Sequence, residues 1–331
     1  MSKPLRIGIL GAARITPSAL LGPARKVEGV AVSAIAARDK NKAAAFATKH
    51  AIPTVHETYE ALLADPQIDA IYNPLPNSHH GLWSIKALEA GKHVLCEKPL
   101  AANADEAAQM AEVAKKNGRI LAEAFHWRYH PLAGRMKEIM ASGRLGKIEH
   151  IEAHFCVPLL EPRNIRWRLD LAGGALMDTG CYTINMVRHL AEAEPHVVAA
   201  KAWKMREGVD RRVQAAFAFD DGRTGGILCS MAGWPLLRAC VQVRGGDGVM
   251  TVQNPLAPQL YHSITIEDAH GREKQKVPGD ATYTHQLRAF ADWVGGGPAM
   301  VTDADDGIKN MAVIDAVYRA AGYAPRKPAR A

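Results

Sequence analysis

Residues 5–16 read LRIGILGAARIT and contain the pattern from which the fold of the first domain is inferred. A short β-rich run ends at Leu10, Gly11 follows at once, and Pro17 opens a helical stretch. A strand, a glycine turn and a helix in this order favour a dinucleotide site, because the turn lets the backbone approach a pyrophosphate and the helix N-terminus faces the anion. The fingerprint is imperfect, since Ala13 and Thr16 stand where its second and third glycines belong. Alone, it also fits a turn that only serves packing.

The alternation of strand and helix continues over the first 120 residues. The β-rich runs are Leu5–Leu10, Val30–Ala36, Ala70–Asn73, His93–Cys96 and Ile120–Glu123. Helical stretches lie between them, and Gly91 and Gly118 stand where helix C-caps belong, each just before the next run. Strands that alternate with helices predict βαβ units and a parallel sheet. Residues 1–122 are therefore predicted to form a doubly wound, Rossmann-type α/β domain.

Beyond residue 122 the pattern changes. Alternating β-rich stretches are separated by turns rich in glycine and aspartate, such as residues 220–222 and 245–248. This arrangement is typical of an antiparallel sheet with hairpin turns. Helical stretches near residues 131–142, 174–193 and 303–321 complete the set. Residues 123–331 are predicted to form a second, C-terminal α/β domain.

Composition excludes several classes of protein. The 331 residues include 41 Lys and Arg against 34 Asp and Glu, a net charge of +7, and 48% of them are hydrophobic. The basic residues are scattered, so we expect no nucleic-acid binding. No apolar run is long enough for a membrane span, and no secretory signal precedes the first strand. The five cysteines form no C-x-x-C pair and are interpreted as reduced thiols of a cytoplasmic protein.

The first two strand ends carry the residues predicted to hold a nicotinamide dinucleotide. At the glycine turn these residues are Gly11, Ala12, Ala13, Arg14 and Ile15. At the end of the second strand, Ala37 occupies the place of a ribose-binding acid and Arg38 follows it. An arginine there accommodates the 2′-phosphate of NADP, so NADP(H) is favoured over NAD(H). The alternative is that Arg38 is a solvated loop charge and Asp39 caps the next helix.

Two later strand ends reach the same rim of the sheet. Pro76, Asn77 and His80 follow the strand Ala70–Asn73 and are predicted cofactor contacts, because ligands of doubly wound folds bind at the carboxyl ends of the strands. Glu97 and Lys98 follow the strand His93–Cys96. A partly desolvated Lys98 beside the nicotinamide suits proton transfer. An exposed, salt-bridged pair explains the same two residues.

Asp178 and Tyr182 form a second candidate group. They are four residues apart in a predicted helix and so share a face. With a lysine, a carboxylate and a phenol make an acid–base relay for a carbonyl/alcohol couple. The alternative is a capping aspartate and a core tyrosine. His150, Glu152 and His154 alternate on one strand face, but a polar sheet face explains them better than a metal, and we expect no metal.

Taken together, these residues resemble the Gfo/Idh/MocA oxidoreductases. The most specific part is AGKHVLCEKP over residues 90–99, and residues 123–131, 164–167 and 174–182 match in order. The ending is similar too, in residues 283–290 and 315–318. The turn at Gly11 is most similar to the branch that holds dimeric dihydrodiol and aldose (xylose-type) dehydrogenases.

The resemblance implies the function and the site. It implies a Rossmann domain, a C-terminal α/β domain with an open, mostly antiparallel sheet, and sheets that pair into homodimers. It implies Lys98 as the main catalytic residue, with Asp178 and Tyr182 as its partners, and Glu97 as a further cofactor contact. Many relatives carry histidine in place of Tyr182, which leaves open whether Lys98 or Tyr182 donates the proton.

The expected activity is hydride transfer between nicotinamide and a carbinol or carbonyl of a sugar, sugar derivative or cyclic diol. Arg166 and Trp167 are candidate residues of the substrate pocket, where an aromatic face suits a sugar ring or an arene diol. The alternative is a catalytically silent nucleotide-binding regulatory or scaffold protein of the same fold.

Overall fold

The computed structural model of the chain describes residues 3–329. The chain divides into two compact units. The first comprises the residues up to His126, together with Tyr283–Ile308 and the residues from Pro328 onward. The second comprises Trp127–Thr282 and Lys309–Lys327. The sequence analysis assigned residues 283–308 to the second domain, whereas the structure packs them into the first unit.

Hydrogen bonds around one buried residue explain why that distant segment joins the first unit. The backbone N–H of Glu123 donates to the carbonyl oxygen of Thr302 over 2.8 Å, and the Thr302 hydroxyl donates to the carbonyl oxygen of Glu123 over 2.7 Å. The Glu123 carboxylate accepts from the backbone N–H of Leu100 over 2.8 Å. Since buried backbone groups need partners, residues 283–308 complete the edge of the first sheet.

The first unit is built on a six-stranded sheet in the order β3-β2-β1-β4-β5-β6, with every neighbouring pair parallel. In chain order the strands are β1 (Leu5–Leu10), β2 (Val30–Ala36), β3 (Thr54–His56), β4 (Ala70–Asn73), β5 (His93–Cys96) and β6 (Leu121–Glu123). The predicted doubly wound parallel sheet is confirmed. The sequence analysis missed β3, whose three residues are too short to show a pattern.

Helices connect these strands as the sequence predicted. They are α1 (Gly22–Ala24), α2 (Lys40–His50), α3 (Tyr59–Ala64), α4 (His80–Glu89) and α5 (Ala104–Lys116). Side-chain caps fix several starts, because an N-cap oxygen satisfies a helical N–H that has no partner within the helix. Thr58 accepts from Ala61 N–H over 3.0 Å, and Asn103 accepts from Glu106 N–H over 2.9 Å.

The second unit is built on an eight-stranded sheet in the order β14-β13-β12-β11-β7-β10-β9-β8. Its strands are β7 (Ile148–Cys156), β8 (His196–Arg206), β9 (Val209–Ala218), β10 (Thr224–Ser230), β11 (Arg238–Gly245), β12 (Gly248–Gln253), β13 (Ser263–Asp268) and β14 (Gly271–Gln275). The β7 and β10 strands pair in parallel, and every other neighbouring pair is antiparallel. The predicted mostly antiparallel sheet is confirmed.

The remaining helices of the chain are α6 (Pro131–Ala141), α7 (Cys181–Ala191), α8 (Thr282–Val294) and α9 (Ala304–Ala320).

The two faces of the eight-stranded sheet differ. The ring of Phe155 on β7 packs against Tyr182 on α7, so Ala153 and Ile151, two and four residues earlier, face the same helix and are fully buried. The intervening side chains of β7 point to the opposite side, which we call the outer face.

Among the described residues, no helix is both long and apolar enough to cross a membrane.

Candidate active site

The turn after β1 has a shape that only glycine fits. Gly11 has φ +81°, and its N–H donates to the carbonyl oxygen of Ala36 at the end of β2 over 2.7 Å. A Cβ atom placed on Gly11 would lie 3.1 Å from Cδ2 of Leu75 and 3.5 Å from the hydroxyl of Tyr59. The backbone is therefore exposed to a close approach, which a bound pyrophosphate requires.

The helix after this turn begins with a π-helical turn, Pro17–Leu21, which runs into α1. Ala12 and Ala13 are half-buried at its entrance, and Arg14 and Ile15 are exposed. Thr16 is fully buried, and its hydroxyl has no hydrogen-bond partner among the described residues. A buried hydroxyl without a partner is uncommon and marks a place for a further polar group. The turn therefore fits the phosphates of a dinucleotide.

At the end of β2, Asp39 and Arg38 have different surroundings, which the sequence analysis could not distinguish. Asp39 caps α2, because its carboxylate accepts from the backbone N–H of Lys42 over 3.0 Å. Ala37 is buried, and Arg38 is exposed at the strand end. The carboxylate of Asp39 is therefore occupied by the helix, while the guanidinium of Arg38 lies on the surface.

Tyr59 joins the two strand ends and was missed by the sequence analysis. Burial raises the pKa of its hydroxyl, and the charge and a backbone hydrogen bond of Arg38 offset part of that rise. The same hydroxyl lies beside the glycine turn, as the 3.5 Å clearance at Gly11 shows. Its ring packs edge-on against Trp83, with 4.6 Å between centroids. The only sequence signal was an aromatic residue directly after the cap Thr58.

His80 holds two loops at the carboxyl edge of the first sheet. Its Nδ1 lies 2.8 Å from the carbonyl oxygen of Pro99 and its Nε2 lies 2.7 Å from that of Leu75. Burial lowers the pKa of the ring to about 4, against the effect of the two carbonyls, and the charges of Lys98 and His79 lower it further. Because burial outweighs the two carbonyls, the ring is neutral near pH 7 and donates to one carbonyl at a time. Both ring nitrogens face protein carbonyls, so the ring joins the two loops, and its contact with a cofactor stays a prediction.

The loop before His80 is held from a neighbouring strand end. The side-chain amide of Asn73 donates to the carbonyl oxygen of His80 over 3.2 Å and to the hydroxyl of Ser84 over 3.0 Å. Pro76 precedes the short 3₁₀ turn Asn77–His79 in an extended conformation. The predicted contacts Pro76 and Asn77 therefore lie on an ordered turn at the carboxyl edge, and their contact with a cofactor stays a prediction.

Glu97 and Lys98 follow β5 at the same edge. The Tyr72 hydroxyl donates to Oε1 of Glu97 over 2.7 Å, and the Glu97 N–H donates to the carbonyl oxygen of Asn73 over 3.0 Å. Glu97 is 7% exposed, so a buried carboxylate stands directly before the lysine. The peptide bond between Lys98 and Pro99 is cis. Tyr72 orients this carboxylate and, lying inside an apolar strand, gave no sequence signal.

The surroundings of Lys98 are histidine-rich. Burial lowers the pKa of His126 to about 3, and the positive charge of Lys98 lowers it further. The His126 ring stacks on Tyr283, with 4.0 Å between centroids. A neutral imidazole beside Lys98 adds a polar wall without a competing positive charge. Tyr283 lies on α8. The sequence analysis identified this segment only through its resemblance to the family.

Asp178 lies in the second unit, and the structure pairs it with a predicted pocket residue. Its Oδ1 lies 2.8 Å from Nε of Arg166, and the two side chains are 19% and 45% exposed. Arg166 is held in turn by Asn164, whose Oδ1 accepts from the Arg166 N–H over 3.1 Å. Asp178 belongs to a second π-helical turn, Leu176–Gly180, directly before α7. Such single π-turns occur frequently at functional sites.

The π-turn changes the relation between Asp178 and Tyr182. The sequence analysis placed both on one face of a single α-helix, where four residues make about one turn. In the structure Asp178 belongs to the π-turn and Tyr182 to the first turn of α7, so the α-helical spacing does not apply between them. The Tyr182 ring is 5% exposed and packs edge-on against Phe155, with 5.7 Å between centroids.

Trp167, the second predicted pocket residue, is buried. Its side chain is fully buried, and Nε1 has no hydrogen-bond partner among the described residues. The ring of Trp167 therefore lies in the interior of the second unit, and its contact with a substrate stays a prediction. A tryptophan beside Arg166 suits a pocket and a core equally well, so the sequence alone did not distinguish the two.

The predicted catalytic residues are distributed over the two units. Lys98 follows β5 of the first unit, while Asp178 and Tyr182 belong to the second. Within the first unit, the structure brings Gly11 and Arg38 to Tyr59, and Lys98 near His80 and His126. Within the second, it brings Arg166 to Asp178.

Comparison with known proteins identifies the class to which this fold and these motifs belong. Residues 5–125 match the model of an oxidoreductase family with an NAD-binding Rossmann fold, and residues 134–251 match the GFO/IDH/MocA C-terminal domain. The chain belongs to the Gfo/Idh/MocA family of oxidoreductases.

Individual relatives match over most of the chain. D-xylose 1-dehydrogenase (NADP(+)) 2 of Haloferax volcanii is 35% identical over 322 residues, which cover 96% of this chain and 97% of the relative. Trans-1,2-dihydrobenzene-1,2-diol dehydrogenase of Xenopus laevis is 35% identical over 268 residues, or 80% of this chain and 77% of the relative. The crystal structure of a 3-ketoreductase from Actinomadura kijaniata with NADP and TDP-benzene has a TM-score of 0.90 at 29% identity, covering 96% and 98% of the two chains.

Proposed function

We propose that this protein transfers hydride between NADP(H) and a carbinol or carbonyl carbon of a sugar, a sugar derivative or a cyclic diol. One observation carries the proposal: the Gly11 turn, with the buried hydroxyl of Thr16 at its helix, stands on the same carboxyl edge as Lys98. A dinucleotide bound at the turn and a lysine at that edge are the components that such a reaction needs. The names of the relatives support this substrate class.

In this proposal, the residues of the first unit bind the cofactor and handle a proton. Gly11, Ala12 and the backbone that follows receive the phosphates, and the nicotinamide ring supplies or accepts the hydride when the cofactor is bound. The ammonium of Lys98 donates a proton to the substrate oxygen in reduction and removes it in oxidation. Glu97, oriented by Tyr72, provides the negative charge beside that lysine.

The second unit contributes Asp178 and Tyr182 to the same chemistry. Asp178 is a positioning residue whose carboxylate is itself fixed by Arg166. The Tyr182 hydroxyl is the alternative to Lys98 as the group that donates the proton to the substrate. Because interacting titratable groups lose their protons as a set, the pH profile of the enzyme belongs to the set rather than to one residue.

The preference for NADP(H) rests on the end of β2. Arg38 is exposed there, Ala37 replaces an acid, and Asp39 is engaged in capping α2. A guanidinium binds a 2′-phosphate bidentately, whereas the Asp39 carboxylate, which could bind a ribose 2′-hydroxyl, already accepts from the first turn of α2.

A panel of aldoses, anhydrosugars and trans-diols, followed by NADPH absorbance and repeated with NADH, tests the proposal. We expect turnover of at least one member, with higher kcat/KM for the NADP pair. Tight NADPH binding without turnover of any polyol, sugar or ketone would instead support a catalytically silent nucleotide-binding protein.

We also propose a homodimer or a tetramer built from such dimers, a cytoplasmic location and a small-molecule partner only. The resemblance supports the dimer, and light scattering after gel filtration tests it. All five cysteines are free and buried, which suits a reducing compartment.

A further inference from the structure

A buried ion pair lies against the turn that carries Asp178. Oδ1 of Asp210, near the start of β9, accepts from Nη2 of Arg326 over 2.6 Å, and the side chains of Arg326 and Asp210 are 2% and 0% exposed. The Tyr318 hydroxyl on α9 donates to the same Oδ1 over 2.9 Å. The guanidinium carbon of Arg326, which follows α9 in the chain, lies 4.1 Å from the centre of the Tyr318 ring. All of these groups belong to the second unit.

Both members of this ion pair also bind the backbone of the turn. Oδ2 of Asp210 accepts from the N–H of Leu176, the first residue of the π-helical turn, over 2.7 Å. Nε of Arg326 donates to the carbonyl oxygen of Gly173 over 2.9 Å. Hydrogen bonds to charged groups are the strong ones, so the ion pair holds the chain on both sides of Gly174.

Gly174 fits against the ion pair because it has no side chain. Its φ is +133°, a conformation open to glycine and costly for other residues. A Cβ atom at this position would overlap with Oδ1 of Asp210 and would lie 2.8 Å from Nη2 of Arg326. The backbone of Gly174 is therefore in direct contact with the ion pair, which fixes its position.

Gly174 in turn connects the backbones of Arg166 and Asp178. Its N–H donates to the carbonyl oxygen of Arg166 over 2.9 Å, and its carbonyl oxygen accepts from the N–H of Asp178 over 3.1 Å. The side chains of these two residues then meet at 2.8 Å. A displacement of Gly174 would therefore move both partners and turn the Asp178 carboxylate away from its place.

Stability alone explains the ion pair of Asp210 and Arg326 less well than a role in placing this turn. The cost of removing two charges from water offsets much of their attraction, so a buried ion pair is weak evidence for stability. A pair that served stability alone would need no particular target. The contacts of this pair instead fall on the two backbone segments that flank Gly174.

We propose that Asp210 and Arg326 are positioning residues of the reaction, which act through Gly174 and Leu176 on the carboxylate of Asp178. This inference rests on the proposed function, in which Asp178 is itself a positioning residue for the proton transfer. Asp210 and Arg326 set the direction of that carboxylate and take no part in hydride or proton transfer themselves.

A double-mutant cycle tests the proposal, with NADPH or NADP and the best substrate of the panel described above. Arg326→Lys keeps the positive charge but loses the fork that binds Asp210 and Gly173 together. We expect kcat/KM to fall about tenfold, because small displacements of positioned groups are costly in rate, and NADPH affinity to stay nearly unchanged. In Asp178→Asn, the same replacement should cost less than about twofold, because the group through which Arg326 acts is already lost.

Arg188→Lys is the matched control. The side chain of Arg188 also lies in the second unit, is 4% exposed and pairs with Glu194 over 2.6 Å. Urea unfolding of Arg188→Lys and Arg326→Lys measures the loss of stability in each. We expect both variants to be destabilised and only Arg326→Lys to lose kcat/KM.

Hydrogen exchange of peptides over residues 173–180 gives a readout that needs no turnover. Because Asp210 binds the N–H of Leu176, Arg326→Lys should speed exchange at Leu176 and Asp178, whereas Arg188→Lys should not. Tyr318→Phe, which removes only one hydrogen bond to Asp210, is a milder variant and takes the place of Arg326→Lys in every measurement should that protein fail to fold.

Two results would overturn the proposal. One is a loss of kcat/KM in Arg326→Lys that multiplies with the loss in Asp178→Asn, as it does for independent sites. The other is unchanged exchange at Leu176 and Asp178 in both Arg326→Lys and Tyr318→Phe. An unaltered protein that turned over no substrate would overturn the proposed function, and with it the role in the reaction, while the exchange rates would still show whether the ion pair holds the turn.

Discussion

The guanidinium of Arg166 and the carboxylate of Asp178 form an ion pair over 2.8 Å within the second unit. Arg166 and Asp178 lie in two separate family motifs, residues 164–167 and 174–182. Through their ion pair, Arg166 orients the carboxylate of Asp178. We expect Arg166→Gln to lower kcat/KM about tenfold through loss of that orientation. Arg168→Gln is the matched control, because Arg168 is also exposed and pairs with Asp170 instead. Equal losses in both variants would contradict a specific role of Arg166.

Replacement of Lys98 tests the proposed proton transfer. Lys98→Met keeps the length of the side chain and removes its charge, so we expect kcat to fall by about 10²–10⁴. NADPH affinity, measured by fluorescence titration, should change much less. Lys86→Met is the control, since Lys86 is half-exposed and paired with Glu60 over 3.2 Å. Full turnover in Lys98→Met would show that another group, Tyr182 first, moves the proton.

The glycine turn gives a prediction with a matched pair of backbones. Gly11 and Gly29 have φ +81° and +75°, and a Cβ on Gly29 would meet nothing within 4 Å. Replacement of either by alanine should lower the free energy of unfolding by roughly 1–2 kcal/mol, since L-residues avoid this conformation. Only Gly11→Ala should also weaken NADPH binding. Urea unfolding and NADPH titration of both variants separate the two effects.

Arg38 decides between the two cofactors in our proposal. Arg38→Ala should weaken NADP binding about tenfold, the loss of one charge-assisted pair with phosphate, and leave NAD binding nearly unchanged. Lys40→Ala removes a nearby exposed charge that pairs with Glu57 over 3.1 Å and serves as control. An equal loss for NAD and NADP would place the contribution of Arg38 elsewhere than the 2′-phosphate.

The burial of His189 predicts that the free energy of unfolding decreases as the pH falls. Burial and then the charges of Arg128, Lys137 and Arg188 lower its pKa to about 3. The native protein keeps the ring neutral while the unfolded chain binds a proton below about pH 6.5, so stability is full above that pH and falls toward pH 3 by about 1.4 kcal/mol per unit.

Urea unfolding of His189→Gln at several pH values between about 7 and 4.5 checks this effect. The variant should lose that part of the slope. His196→Gln, at an exposed position, provides the control for the other titrating groups. A slope identical in all three proteins would refute the assignment.

Most strands of the first sheet were predictable because each has a local sequence pattern. The runs around Ile7, Ile35 and Val94 are apolar, are bounded by turn residues and become buried central strands. The strand Thr54–His56 was not predicted because three residues, two exposed and one half-exposed, are too few to show an alternating pattern. The register of residues 283–308 with the first unit depends on the backbone contact between Glu123 and Thr302, and pairing over such a distance leaves no local trace.

The candidate site was predictable in its residues but less so in its geometry. The motifs around Lys98 and Asp178 are specific enough to name a family. The π-turn at Asp178 was not foreseen, because a switch from i→i+4 to i→i+5 bonding is decided by tertiary contacts. The engagement of His80 with Leu75 and Pro99 was missed for a similar reason, since both partners are backbone carbonyls whose positions a sequence does not show.

The contact of Thr302 with Glu123 has a consequence for biosynthesis. As the chain emerges from the ribosome, the nucleotide-binding unit still lacks its last edge segment after its first 126 residues, and the second unit must be synthesised before residues 283–308 arrive. A gene fragment that stops at the apparent domain boundary would encode an unfinished sheet edge. Exchange of domains with another family member therefore has to carry both segments of the first unit together.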